Sequence, residues 1–223
     1  MPRLARPVFA GVPHHITQRG NRREKVFFSD ADREAYLEWL ADYCTKHKVE
    51  VLAYCLMSNH IHLVAVPERE DALERVLRPL HTRYAQRINR LKKWKGHLWQ
   101  GRFFSSALDE TYLWAAIRYV ERNPVRARMV RRAENYRWSS AAAHGGGGAD
   151  AVLTKNPEWT RQFKSMGDWS KRLAEGDRAE QLEVLRRHVE RGLPCGAEGF
   201  IRKLERQAEQ LLRLRPRGRP KKA

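Results

Sequence analysis

The sequence predicts an α+β fold: an antiparallel sheet with helices on its face, followed by a helical, basic C-terminal extension. Three observations lead there. The first 145 of 223 residues alternate strand-like and helix-like segments in the order β-α-β-β-α-β-α. Two of the strand-like segments are separated by only three residues, which makes them an antiparallel hairpin. A glycine run at 145–148 then precedes a charged stretch whose apolar residues recur at helical spacing. The expected organisation is a domain at 1–145, a Gly-rich linker at 146–150, a helical extension at 151–214 and a basic tail at 215–223.

The elements follow in order. His14 to Gln18 reads as a short strand ended by the turn signal Arg19-Gly20-Asn21. Ser29 or Asp30 can cap a helix running to about Lys48, with Tyr36, Leu37, Leu40, Tyr43 and Cys44 at helical spacing. Val49 to Leu56 and His60 to Val66 are the hairpin strands, joined through Met57-Ser58-Asn59 and closed by Pro67. A helical pattern with Leu73, Val76 and Leu77 follows. Pro79 is expected to interrupt it and to start a second helix with Leu80, Tyr84, Ile88 and Leu91 inward. Trp99 to Ala107 reads as an edge strand or hairpin around Gly101. Asp109 opens a helix carrying Leu113, Ala116, Ile117 and Val120. Beyond the glycines, residues 178–191 and 198–214 carry helical patterns, and His188-x3-Gly192-Leu193-Pro194 reads as a helix followed by a turn.

Composition narrows the function classes. The hydrophobic fraction of 42% supplies a core, so wholesale disorder is excluded. No run of about 18 apolar residues exists to span a membrane. The start MPRLARPVFAG lacks a secretory core, so a cytoplasmic location is expected. Cys44, Cys55 and Cys195 are odd in number and widely spaced, which argues against a disulfide framework or zinc ribbon. The formal charge of +18 points to nucleic acid, because cations that neutralise phosphates release counterions. From Arg75 to Leu108 there is no acidic residue, while Arg83, Arg87, Arg90, Lys92, Lys93 and Arg102 accumulate. With Trp94, Trp99, Phe103 and Phe104 interleaved, this stretch suits a single strand, cations tracking phosphates and rings stacking bases. The rings also suit a core, which is the expectation for Phe103 or Phe104. Arg217-Gly218-Arg219-Pro220 matches an AT-hook core, in which extended arginines enter a narrow minor groove, or equally a solvated tail.

Candidate chemistry sits at two places. Strand alternation sends His60 and His62 to one face, a half-site for a divalent metal. On the helix that Asp109 opens, Tyr119 and Asn123 are four apart and share a face, one a nucleophile and the other a hard oxygen ligand. Each pair alone is more simply structural: the histidines hydrogen-bonded, Tyr119 an anchor, Asn123 a cap before Pro124. Tyr112, two turns before Tyr119, is a second candidate nucleophile. A zinc module of Cys55 with His60 and His62 is a weaker alternative.

His60-Ile61-His62, then Tyr119 with Asn123-Pro124-Val125-Arg126-Ala127, resembles the HUH endonuclease superfamily. Within it the chain resembles the single-tyrosine transposases, and among these the REP-associated tyrosine transposases. Further family-like stretches are His15 to Asn21, Ser58-Asn59, Leu98 to Phe103 and Tyr136 to Ser140, in the family order over roughly residues 8–145. The resemblance implies a ferredoxin-like fold and a single-stranded DNA transesterase using Mg²⁺ or Mn²⁺. His60, His62 and Asn123 would hold the ion, and Tyr119 would form a 5′-phosphotyrosine. It also implies hairpin-forming DNA as partner, a place with the bacterial nucleoid, and action as monomer or homodimer. Arg122, Arg217 and Arg219 join the expected DNA contacts. The alternative is a non-catalytic DNA-binding regulator, for which the basic surface suffices.

Overall fold

The computed structural model describes residues 7–213. The predicted Arg217 and Arg219 contacts and the AT-hook-like tail lie outside them. The elements run β1 (His14–Arg19), α1 (Asp30–His47), β2 (Val49–Leu56), β3 (His60–Pro67), α2 (Ala72–Lys92) and β4 (Phe104–Ala107). After these come α3 (Glu110–Glu121), α4 (Asn123–Arg126), α5 (Ala141–His144), α6 (Pro157–Ser165), α7 (Trp169–Ala174), α8 (Ala179–Arg191) and α9 (Glu198–Ala208). The four strands form one sheet in the order β2-β3-β1-β4, antiparallel at every junction. That order with two crossover helices is the ferredoxin-like βαββαβ arrangement, so the α+β expectation holds.

Local chemistry sets the boundaries. Ser29 caps α1 by accepting from the Asp32 backbone N–H, and the Asp32 carboxylate accepts from the Ser29 N–H in return. Lys48 ends the helix in a left-handed conformation. Tyr36, Leu40 and Cys44 are buried as expected, with Leu37 and Tyr43 half-buried around them. The crossover helices α1 and α2 pack on each other. They take the face to which Ile16, Ile61 and Leu63 alternate, while α3 covers the face carrying the histidines.

Three sequence expectations need correction. Pro79 does not interrupt the helix: α2 runs unbroken from Ala72 to Lys92. One apolar stripe, Leu73, Val76, Leu77, Leu80, Tyr84 and Ile88, is continuous across the proline and fully buried. Pro79 itself is half-exposed, so water can serve the carbonyl that loses its partner. Burial of that stripe outweighs the one lost hydrogen bond. Leu91, expected inward, is 60% exposed in the last turn of the helix. The segment from Trp99 is also less regular than expected. Trp99 makes only an isolated bridge to Gly20, Gly101 adopts a φ of 144°, and regular pairing begins at Phe104. Phe103 and Phe104 are both half-buried.

After the glycines the chain returns to the sheet at both edges. The Thr154 N–H donates to Val51 O, and the Glu50 carboxylate accepts from Thr154, Asn156 and Trp159. At the other edge Cys195 pairs with Leu108, and its N–H donates to Ala107 O. Trp169, Leu173, Leu185 and Cys195 belong to the same apolar core as the strands. The fully buried Glu121 of α3 fastens the middle of this segment. Its carboxylate accepts from Ser140 Oγ (2.5 Å), His144 Nδ1 (2.6 Å) and Trp169 Nε1 (2.7 Å).

Candidate active site

Pairing register builds the site from β1 and β3. His60 lies opposite Arg19, His62 opposite Thr17 and Val64 opposite His15, so His15, His60 and His62 all reach the α3 face. The His60 and His62 rings meet edge-on with centroids 4.9 Å apart. His60 Nδ1 donates to Asn59 Oδ1 at 2.6 Å, and Asn59 is oriented in turn by donating from Nδ2 to Arg23 O. His62 Nδ1 lies 3.0 Å from His15 Nε2. Both histidines therefore use Nδ1 inside the protein, and neither Nε2 makes a hydrogen bond among the described residues. Burial lowers His60 to about 4, with Arg19 adding to the effect. Burial also holds His62 well below its ordinary value, helped by His60, His15, Arg126 and Arg19. Uncharged imidazoles are what a metal requires.

Tyr119 comes from α3, which Asp109 starts by accepting from the Tyr112 N–H. Its ring meets those of His15 and His62 edge-on, each at 5.5 Å, and it is 6% exposed. Pro124 does not separate Tyr119 from Asn123. Arg122 keeps helical geometry, and Pro124 occupies the first turn of α4, where a missing N–H costs nothing. The Asn123 amide donates from Nδ2 to Val120 O at 3.2 Å, its one side-chain hydrogen bond among the described residues. Tyr112 makes no ring contact with the histidines; it is half-buried, and burial raises its phenol, with Cys195 and Asp109 adding to it. Among the described residues no group of three or more His, Cys, Asp or Glu is placed to hold a metal. Cys55 pairs opposite His62, but its thiol is directed at Met57 Sδ (3.6 Å) and is pushed up by burial, so the Cys-His-His zinc arrangement is not formed.

Three groups near the tyrosine escaped the sequence reading. The Arg126 guanidinium lies 4.2 Å from the Tyr119 ring centroid, and its Nη2 donates to Tyr119 O at 2.5 Å. Arg186 of α8 approaches the same ring at 5.8 Å. Asp177 receives Arg118 (3.6 Å), Arg122 (2.9 Å) and Arg126 (3.4 Å), three cations spaced four apart. Arg118 and Arg122 also donate to the carbonyls of Arg172, Leu173, Glu175 and Gly176. Arg122, expected against DNA, is buried in this cluster.

The expected DNA-binding cations of α2 lie away from the tyrosine, on the helix of the opposite layer. Arg83 stacks on Trp39 at 4.0 Å, Arg87 faces Asp32 at 3.8 Å, and Lys92 sits over Phe28 at 4.6 Å. Arg90, Lys93 and Arg102 are exposed, as is Trp94, which meets Phe28 edge-on. A groove of about 750 Å³ runs between α2 and the 96–103 loop, lined by Arg78, Gln86, Trp99, Gln100, Arg102 and Phe103.

The fold is shared with a solved structure. One solved structure, of a REP-associated tyrosine transposase bound to a REP hairpin, matches with a TM-score of 0.56 at 17% identity. The match covers 70% of this chain and 93% of that one. A candidate transposase from Deinococcus radiodurans shares 20% identity over 54% of this chain and 96% of its own, with a TM-score of 0.38. No curated protein matches. No helix among the described residues is long and apolar enough to cross a membrane. The family model for IS200-like transposases matches residues 9–123 of the 223, more than half of the sequence and the part that holds both histidines, Tyr119 and Asn123; the chain belongs to that family.

Proposed function

We propose that the chain is a metal-dependent endonuclease and strand transferase for single-stranded DNA, of the REP-associated kind, acting at hairpin-forming strands. The observation that carries this reading is the contact of Tyr119 with His62, whose Nε2, like that of His60, is unengaged. Two uncharged imidazoles and the Asn123 amide oxygen suit Mg²⁺ or Mn²⁺, with positions left for phosphate oxygens. When bound, the ion would polarise the scissile phosphate and stabilise the charge that builds there.

The protein's own groups supply the rest. Tyr119 Oη attacks phosphorus and the bond to the 3′ oxygen breaks. That oxygen leaves and gains a proton, and the 5′ phosphate stays on the tyrosine. One phosphoester replaces another, so a second strand's 3′-hydroxyl can reverse the step without ATP. Arg126 sets a positive charge against the ring where negative charge develops as the phenol loses its proton. Burial of Tyr119, His15 and His62 keeps water from competing for the intermediate. Hairpin DNA as the substrate is supported by the fold shared with the hairpin-bound protein and by the charge of +18.

The test uses single-stranded oligonucleotides from repeats flanking the gene, with Mn²⁺ or with chelator. Metal-dependent nicking that disappears in Tyr119→Phe, with DNA binding retained, is the expected result. Tight binding indifferent to chelator, without cleavage of any strand, is the signature of the non-catalytic regulator.

A further inference from the structure

His15 is a buried polar side chain beside the site whose ring nitrogens have so far been given no task. It is fully buried on β1, its Nε2 is 3.0 Å from His62 Nδ1, and the two ring planes lie within 19° of each other. Its own Nδ1 is buried with no partner among the described residues. A position that only filled space would be served better by an apolar ring, since a buried polar atom left unpaired costs about 1–3 kcal/mol. The arrangement therefore carries a cost, and its one hydrogen-bonded atom touches a candidate metal ligand.

The hydrogen bond has two forms. If the shared proton sits on His15 Nε2, then His62 accepts at Nδ1 and carries its own proton on Nε2, with no lone pair to offer an ion. If it sits on His62 Nδ1, then Nε2 is bare. His60 shows the second pattern, because Asn59 Oδ1 can only accept and so holds the His60 proton on Nδ1. Asn59 and His15 thus occupy equivalent places, one behind each histidine.

We infer that His15 is a positioning residue, the acceptor that fixes the tautomer and ring orientation of His62 so that both imidazoles present Nε2 to one divalent ion. This rests on the reading of His60 and His62 as metal ligands. Groups placed behind a metal-binding histidine change affinity by about 10–100-fold. The same ring also touches Tyr119 edge-on at 5.5 Å, so one buried side chain aligns ligand and nucleophile.

Two readouts test it without activity. In metal-free protein labelled with ¹⁵N-histidine, NMR should find His62 protonated on Nδ1 and bare at Nε2. His15→Gln, which keeps an acceptor oxygen at about the Nε2 position, should preserve that state, and His15→Phe should shift the proton to Nε2. Mn²⁺ titration followed by electron paramagnetic resonance, without DNA, should then find about 10–100-fold weaker binding in His15→Phe. His15→Gln should stay within a few-fold of wild type, and His62→Ala should lose binding. Wild-type affinity in His15→Phe, alongside loss in His62→Ala, overturns the positioning role and leaves the metal reading standing. Equal, negligible binding in wild type and His62→Ala overturns both. Should His15→Phe fail to fold, wild-type His62 protonated on Nε2 is sufficient to overturn the inference.

Discussion

The ring of Tyr119 meets the ring of His62 edge-on at 5.5 Å, although the two residues are more than fifty positions apart in the sequence. This contact joins the proposed nucleophile on α3 to the proposed metal half-site on β3. Tyr112, two turns earlier on α3, has no such contact. Tyr119→Phe should therefore abolish covalent DNA adducts, while Tyr112→Phe should retain them within a few-fold of wild type. Adduct yields on a denaturing gel separate the two.

Arg126 is the nearer of two cations against the tyrosine ring and is half-buried there. Removing a charged group aimed at developing negative charge costs a rate factor of about 10²–10³. Arg126→Ala should slow adduct formation by about that factor. Single-turnover kinetics at saturating DNA distinguish this from weaker binding, which would raise the DNA concentration needed but leave the plateau rate unchanged.

Asp177 holds three arginines, and the side chains involved are 9–18% exposed. Asp177→Ala leaves those cations facing one another without a counter-ion, and breaking a buried pair costs about 3–5 kcal/mol. Partial exposure puts the expected loss at about 2–4 kcal/mol, measured by urea unfolding. Glu121→Ala strands three donors in the core and should cost about as much.

Buried histidines give the fold a pH dependence of defined sign. Burial lowers His14 and His60 to about 4, and His15 and His81 to about 3. An unfolded histidine titrates near 6.5, so between about 6.5 and 4 the unfolded chain binds more protons than the folded one. Stability from these groups is complete above about pH 6.5 and falls as pH drops towards the folded values. Thermal melts at pH 7.5, 6 and 5 should fall in that order; a flat profile contradicts neutral burial of these rings.

Much of this was legible in the sequence because the informative patterns are local. Alternation placed His60 and His62 on one face, helical spacing placed Tyr119 with Asn123, and Ser29 announced the start of α1. What escaped depends on distant pairing. His15 meets His62 only through the β1–β3 register, 47 positions apart, although sharing a strand face with Thr17 was already implied by alternation. Asp177 lies in a charged stretch, and nothing local ties it to arginines some fifty residues earlier. Pro79 locally favours a helix start, but the long buried stripe that runs through it keeps α2 continuous.

The measurement that tests the central claim most directly is the site of covalent attachment. The protein would be incubated with a flanking-repeat single strand and Mn²⁺, digested, and its nucleotide-bearing peptide sequenced by mass spectrometry. The account predicts a phosphonucleotide on Tyr119, absent when chelator replaces Mn²⁺. Attachment at Tyr112 or any other residue, or an adduct that forms equally in chelator, would contradict it.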